Sequence, residues 1–239
     1  MARRKSTRRK TRGFRPVRFV LKFILWVLIL SVVWVGLLRF LPVPATSIML
    51  RDWANGTDVS KDWTPLADIS PNFARAVIGA EDAKFCEHNG FDLEAIETAL
   101  EERADGEGTR GASTITQQTA KNVFLWPGRN LVRKGLEAYF AGLIELIWGK
   151  RRIMEVYLTV LELDAGIYGA EAASRHYFGK SASDLTRTEA ARLAAILPDP
   201  VDRSASSPGP FTTRRANDIA RWIPIVDADG QDDCVYTPG

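Results

Sequence analysis

Leu131-Val-Arg-Lys-Gly-Leu-Glu-Ala-Tyr-Phe-Ala-Gly-Leu-Ile-Glu-Leu-Ile-Trp148 is the most hydrophobic stretch outside the N-terminal region of this 239-residue chain. Leu136, Tyr139, Phe140, Leu143, Ile144 and Ile147 recur at three- and four-residue spacing, which predicts a helix with that face buried and Gly149 as its stop. Glu137 sits inside this apolar pattern, and Glu145 follows eight residues on, nearly on the same face. An acid there is costly unless paired or hydrated. Arg129, Arg133 and Lys134 make a structural ion pair one reading and a paired functional carboxylate the other.

Helical spacing extends in both directions. Pro71-Asn72 opens a run with Phe73, Ala76, Val77 and Ala80 on one face, and Asp92 caps a helix carrying Leu93, Ile96, Ala99 and Leu100, which fades at Asp105–Gly108. Ser113 or Thr114 starts another that ends at Pro127-Gly128. Helices over 152–163 and 170–177 follow, and Thr186-x-x-Glu189 is a capping box for a helix ending at Leu197-Pro198. No period-2 run of useful length and no repeat interrupts the pattern. The expected fold is mainly α, one helical domain over residues 66–227, with a stalk over 42–65 that packs onto it and a loose end over 228–239.

The N-terminus is of another kind. Ten of the chain's 32 Lys and Arg residues fall within the first 22 positions, which hold no acid; the other 22 face 29 acids. The basic pI of 8.9 therefore belongs to the tail and is no sign of nucleic-acid binding by the folded part. Residues 19–41 are long and apolar enough for a single transmembrane helix, with Lys22 and Arg39 near its ends, behind a basic tail over 1–18. A cleaved signal peptide is the rival, but Pro42-Val-Pro-Ala45 is a weak cleavage site. The positive-inside rule puts the N-terminus in the cytoplasm and the domain beyond the membrane, in a bacterial periplasm, where Cys86 and Cys234 could pair but need not. Two cysteines and no Cys/His cluster exclude a disulfide-framework miniprotein and a zinc module.

Two polar groups could carry chemistry. In Glu81-Asp82-Ala-Lys-Phe85-Cys-Glu-His88-Asn-Gly90-Phe-Asp92, adjacent acids follow an apolar helix face, so one of them should border a pocket; the plainer reading is a solvated helix end with Asp92 as a cap. In Gly111-Ala-Ser113-Thr114-Ile-Thr-Gln-Gln118-Thr-Ala-Lys121, residues Thr114, Gln118 and Lys121 share one helix face. A hydroxyl, an amide, a cation and the free N–H groups of a helix start suit phosphate oxygens, with a polar surface helix as the alternative. The preceding glycines, Gly106, Gly108 and Gly111, leave that loop free to admit a polymer.

Taken together, Glu81-Asp-x-x-Phe85-x-x-His88-x-Gly90-x-Asp92, Gly111-Ala-Ser-Thr-Ile-Thr-Gln-Gln118 and Arg133-Lys-x-x-Glu137 resemble, in order and spacing, the peptidoglycan glycosyltransferases, and among them the monofunctional biosynthetic transglycosylases. The resemblance covers roughly residues 66–200. It implies a lysozyme-like helical fold and an inverting polymerase of lipid II that releases undecaprenyl diphosphate. In that picture Glu81 is the general base toward the acceptor 4-hydroxyl, and Glu137 acts on the diphosphate side. Lys121 and Arg129 contact the diphosphate, and Asp82, Phe85, His88, Ser113, Thr114, Gln118 and Arg133 line the cleft. It further implies a divalent ion, Mg or Mn, beside Glu137. The implied partners are lipid II, the growing glycan strand, the inner membrane and cell-division or cell-wall synthesis proteins. The chain departs from the pattern in Arg151-Arg-Ile-Met-Glu-Val-Tyr157-Leu158-Thr159, where Asn is usual at Thr159, and in Leu163-Asp-Ala-Gly166; the expected effect is on local packing rather than catalysis. A glycan-cleaving lysozyme-like enzyme and an idle membrane-anchored scaffold are the readings from other classes.

Overall fold

A computed structural model describes residues 15–106, 111–128 and 130–237. The first helix, α1 (Arg15–Leu38), is a continuous apolar rod about 35 Å long at 1.5 Å per residue. Its Pro16–Leu38 portion meets the length and composition of a membrane span. The helix stops three residues before the expected boundary, in a turn over Arg39–Leu41 that precedes Pro42.

The end of α1 is docked rather than hung. The Trp148 indole donates to the Val35 carbonyl at 2.7 Å, the Arg152 guanidinium to the Leu38 and Leu41 carbonyls at 2.8 and 2.5 Å, and Ser31 Oγ bonds Tyr139 Oη at 2.7 Å. Carbonyls at a helix C-terminus lack intrahelical partners, so an arginine is a natural cap for them.

The segment expected as a stalk folds onto the body. Thr46 caps α2 (Ser47–Ala54), whose Asp52 is buried between Arg51 and the Tyr168 hydroxyl, 2.6 Å away. The strand β1 (Ser60–Lys61) pairs parallel with β3 (Ile167–Tyr168), which pairs antiparallel with β2 (Glu162–Asp164). These strands of two or three residues tie the segment after the anchor to the far end of the domain. Gly166 makes the turn possible: its φ is +75°, and a Cβ there would lie 2.3 Å from the Asp58 carbonyl oxygen.

Two helical layers build the core. In one, α3 (Pro71–Glu81), α9 (Arg187–Ile196) and α10 (Pro210–Ala228) pack mutually. Alanines 190, 191, 194 and 195 are fully buried on α9 and let the neighbours approach closely. In the other, α5 (Ile115–Phe124) lies against α6 (Leu131–Ile147) and α7 (Lys150–Val160), with Phe124 stacked on Phe140 at 4.6 Å. The helices α4 (Leu93–Ala104) and α8 (Ala170–Phe178) flank these layers; Asp92 caps α4 and the Thr186/Glu189 box caps α9, as their spacing predicts.

Two expectations need correction. Of the α6 residues expected inside, only Ile144 is fully buried; Leu136, Tyr139, Phe140, Leu143 and Ile147 are half-buried. The buried line is instead Arg133, Glu137, Ala141, Ile144 and Trp148, because α5 covers that side and α1 flanks another. The C-terminal segment is not loose through Thr237. The short α11 (Asp233–Tyr236) buries Val235, Asp232 pairs with Arg75 at 2.7 Å, and Cys234 forms a disulfide with Cys86. A polar run such as Asp229-Gly-Gln-Asp-Asp233 conceals this, since every partner lies far away in sequence.

Candidate active site

Glu81 is the last residue of α3, and the chain turns sharply after it, so the two adjacent acids part company. Asp82 turns inward. Its Oδ2 accepts the Ile115 N–H at 3.0 Å, at the start of α5, and its Oδ1 accepts from His88 Nε2 at 2.8 Å. The Gly90 N–H donates to His88 Nδ1 at 3.1 Å, which leaves the ring proton on Nε2. Phe85 is fully buried below this pair, edge-on to His88, and the Lys150 ammonium lies 4.5 Å from its ring centre. Asp82, Phe85 and His88 are thus a buried brace that fixes the loop after α3 against α5.

The same bonds correct the phosphate reading of the α5 start. The Ile115 N–H is taken by Asp82 and the Gln117 N–H by the Thr114 hydroxyl, which itself donates to the Gly90 carbonyl at 2.7 Å. Thr114 is a buried cap, its box completed by Gln117, and offers no hydroxyl to a ligand. A carboxylate at a helix N-terminus gains from the same dipole that would have drawn a phosphate.

Glu81 faces a cleft of about 240 Å³ lined also by Asp92, Ser113, Gly111 and small residues of α3 and α4. Gln118 Nε2 donates to its Oε2 at 3.1 Å, and Arg215 on α10 reaches its Oε1 at 3.3 Å. The Tyr157 hydroxyl donates to Gln118 Oε1 at 3.2 Å and so sets which way the amide points. Burial pushes the Glu81 carboxyl above the ordinary glutamate range; Asp82 adds to this, while Gln118, Arg215 and Lys121 oppose it.

The Glu137 side is the opposite in character. Glu137 is buried, and its Oε1 accepts from Lys134 at 2.5 Å while Arg133 stands 3.7 Å from Oε2. Lys134 also reaches Ser113 Oγ at 3.4 Å, which joins the cationic side to the Glu81 cleft. Lys121 lies within electrostatic reach of both glutamates. Burial pulls its ammonium below the usual lysine range, with Glu137 and Glu81 pulling back. Among the described residues it has no hydrogen-bond or ion-pair partner. The other acid of this helix, Glu145, is spent on structure: it pairs with Lys150 and accepts from Thr116, both at 2.7 Å.

Arg129 and Gly108 lie outside the described residues. The remaining expected site residues gather along α5, but in two roles: Glu81, Ser113, Gln118, Lys121, Arg133 and Glu137 border the cleft or its cationic side, and Asp82, Phe85, His88 and Thr114 support them. Sequence reasoning missed Arg215 and Tyr157. Tyr157 stood in a recognised motif without a role; Arg215, 134 residues from Glu81, carries no local signal. Nor do the residues fit a metal held by the protein, since both Glu137 oxygens face cations and no group of three Asp, Glu, His or Cys side chains forms among the described residues.

The two glutamates are thus kept apart in character, Glu81 bonded by Gln118 and Arg215 at the cleft and Glu137 set against Lys134 and Arg133. The chain belongs to the transglycosylase family, whose family model matches residues 49–223, and is a glycosyltransferase with a lysozyme-like helical domain. It is similar to the biosynthetic peptidoglycan transglycosylase of Caulobacter vibrioides, 51% identical over 226 residues that cover 92% of this chain and 99% of the relative. Proteins of the same name from Jannaschia sp. and Pseudomonas aeruginosa are 48% and 47% identical, covering 86% of this chain and 84% and 90% of theirs.

Proposed function

We propose that the protein polymerises lipid II into β-1,4-linked glycan at a membrane surface, with Glu81 as general base. The observation that carries this reading is the pairing of a half-buried, cleft-facing Glu81 with an uncommitted cation, Lys121, on the same side of α5. The acceptor 4-hydroxyl gives its proton to Glu81 as its oxygen attacks the donor's anomeric carbon. The bond from that carbon to the diphosphate oxygen breaks on the opposite face, which inverts the α-linkage to β. Lys121, with Lys134 and Arg133 beyond it, takes up the charge that develops on the leaving diphosphate, where a fixed cation needs no reorganisation. Asp82 and His88 hold the loop that aims Glu81. A single displacement requires no covalent enzyme intermediate.

The divalent ion implied by the resemblance belongs to this proposal only as a companion of the bound diphosphate, and no step depends on it. The proposed orientation is N-terminus in the cytoplasm and catalytic domain in the periplasm. Nine basic residues before the apolar span, with Lys22 at its start, support it, and so does a disulfide, which suits an oxidising compartment.

Full-length protein in detergent, given purified lipid II, is expected to make glycan that lysozyme digests, and to release nothing from finished sacculi. Cleavage of sacculi without polymer formation would establish a lytic enzyme instead, and the absence of both activities a scaffold.

A further inference from the structure

Arg215 is the one feature of the cleft that neither the motifs nor the proposed displacement uses. It projects from the buried side of α10, one turn from Thr212 and one from Ile219, both buried. One terminal nitrogen meets Glu81 Oε1 at 3.3 Å, and its Nε–H is buried with no hydrogen-bond partner. A buried donor left unpaired normally costs stability, so its retention in a packed helix calls for a reason. Bringing the terminal nitrogen of the same guanidinium to Glu81 supplies one. The guanidinium meets the carboxylate through one terminal nitrogen, and among the described residues no other acid pairs with it. Gln118, fixed by Tyr157, holds the other oxygen.

We propose that Arg215 is a positioning residue for the Glu81 carboxylate, a pincer on Oε1 opposite Gln118 on Oε2, which keeps the base ionised and pointed into the cleft. The proposal rests on the reading of Glu81 as the base. The charged and titratable groups facing Glu81 are Asp82 on its own segment, Asp92 across the cleft, Lys121 on α5, Tyr157 on α7 and Arg215 on α10. Lys121 stands without a bond to the carboxylate, and Arg215 is the only cation in contact with it among the described residues. An opposite charge within a few ångströms lowers a carboxyl pKa by about 1–3 units. Loss of that charge moves the carboxyl upward, so a larger share of the base is protonated at a given pH.

The test is the pH profile of kcat for lipid II polymerisation by full-length Arg215→Gln and Arg215→Lys proteins, beside Glu81→Gln and wild type, with Tm recorded for each. Arg215→Gln is expected to shift the acid limb up by about one pH unit. Its activity should then fall roughly tenfold on that limb and recover above it, while Arg215→Lys keeps the limb near the wild-type position. Overturning results are an unmoved limb in Arg215→Gln, a loss that is the same at every pH, or a rise in KM alone, which would place Arg215 on substrate. A lowered Tm without a moved limb would make it a packing residue. The two readings fail separately: an active Glu81→Gln protein removes the base, whereas an inactive one with an unmoved Arg215→Gln limb removes only the pincer.

Discussion

Glu81 and Glu137 are the same side chain in two neighbouring environments, and the difference between them lies in how each charge is answered. Glu81 ends a helix, keeps one amide and one loosely held arginine, and faces a cleft whose walls are mainly small residues. Burial without full compensation raises its proton affinity, as a base at neutral pH requires. Glu137 sits mid-helix with Lys134 and Arg133 against it, so its charge is already balanced. What it can do is hold those two cations in place. Lys121 sees both glutamates and is committed to neither, so it is the group best placed to answer charge arriving from outside.

The sharpest way to break this comparison is Glu81→Gln. The amide keeps the size and the contact with Arg215, so the fold should hold, while the proton acceptor is gone; kcat should fall on the order of 10²–10⁴-fold with KM little changed. The wild-type profile carries the same information: kcat should decline as pH drops through a value above the ordinary glutamate range, because the ionised form is the active one. A limb at or below that range would mean that burial does not set the base.

Lys121→Ala should come next, with about a 10²-fold loss of turnover and an unaltered Tm, since among the described residues its ammonium has no bonded partner. Glu137→Gln should cost less in turnover, about tenfold, but more in stability, because Arg133 is buried and would lose the carboxylate beside it. If instead Glu137→Gln removes activity entirely at full stability, the second glutamate takes part in the chemistry and the contrast with Glu81 collapses.

Much of this contrast was legible in the sequence, and the limits are physical. The periodicity of α3, α5, α6 and α9 and the caps at Asp92, Thr114 and Thr186 are local, so residue order alone reveals them. The spacing of Glu81, Gln118 and Glu137 carries a family pattern. What residue order could not separate was Glu81 from Asp82, neighbours that the end of α3 sends in opposite directions, one to the cleft and one to the start of α5. Nor could it show that Thr114 spends its hydroxyl on Gly90, that α10 returns Arg215 to the site, or that Cys234 and Asp232 clamp the chain end. Each of these depends on a partner dozens of residues away, and Glu145 fails in part the same way: it shares a face with Glu137 but is answered by Thr116, 29 residues upstream, as well as by nearby Lys150.

The smallest expected effect concerns the anchor, and it turns on where the chain is cut. If α1 were only a tether, removing residues 1–30 and removing residues 1–41 would give domains of equal stability. The docking contacts say otherwise. Val35 and Leu38 are buried against the domain, and their carbonyls, with that of Leu41, receive the Trp148 indole and the Arg152 guanidinium. The longer deletion takes all three acceptors away and uncovers Trp148; the shorter one leaves them in place. Each exposed donor finds water, so the net loss per hydrogen bond is only about 1 kcal/mol, and three such losses amount to about 3 kcal/mol. For a domain of this size that is a fall in Tm of roughly 6–12 °C between the two truncations, measured in the same detergent. Both should polymerise detergent-dispersed lipid II at similar rates, because no site residue lies on α1, and both should lose against full-length protein on lipid II held in vesicles. Equal melting temperatures would show that the Trp148 and Arg152 contacts do not bind the anchor to the domain.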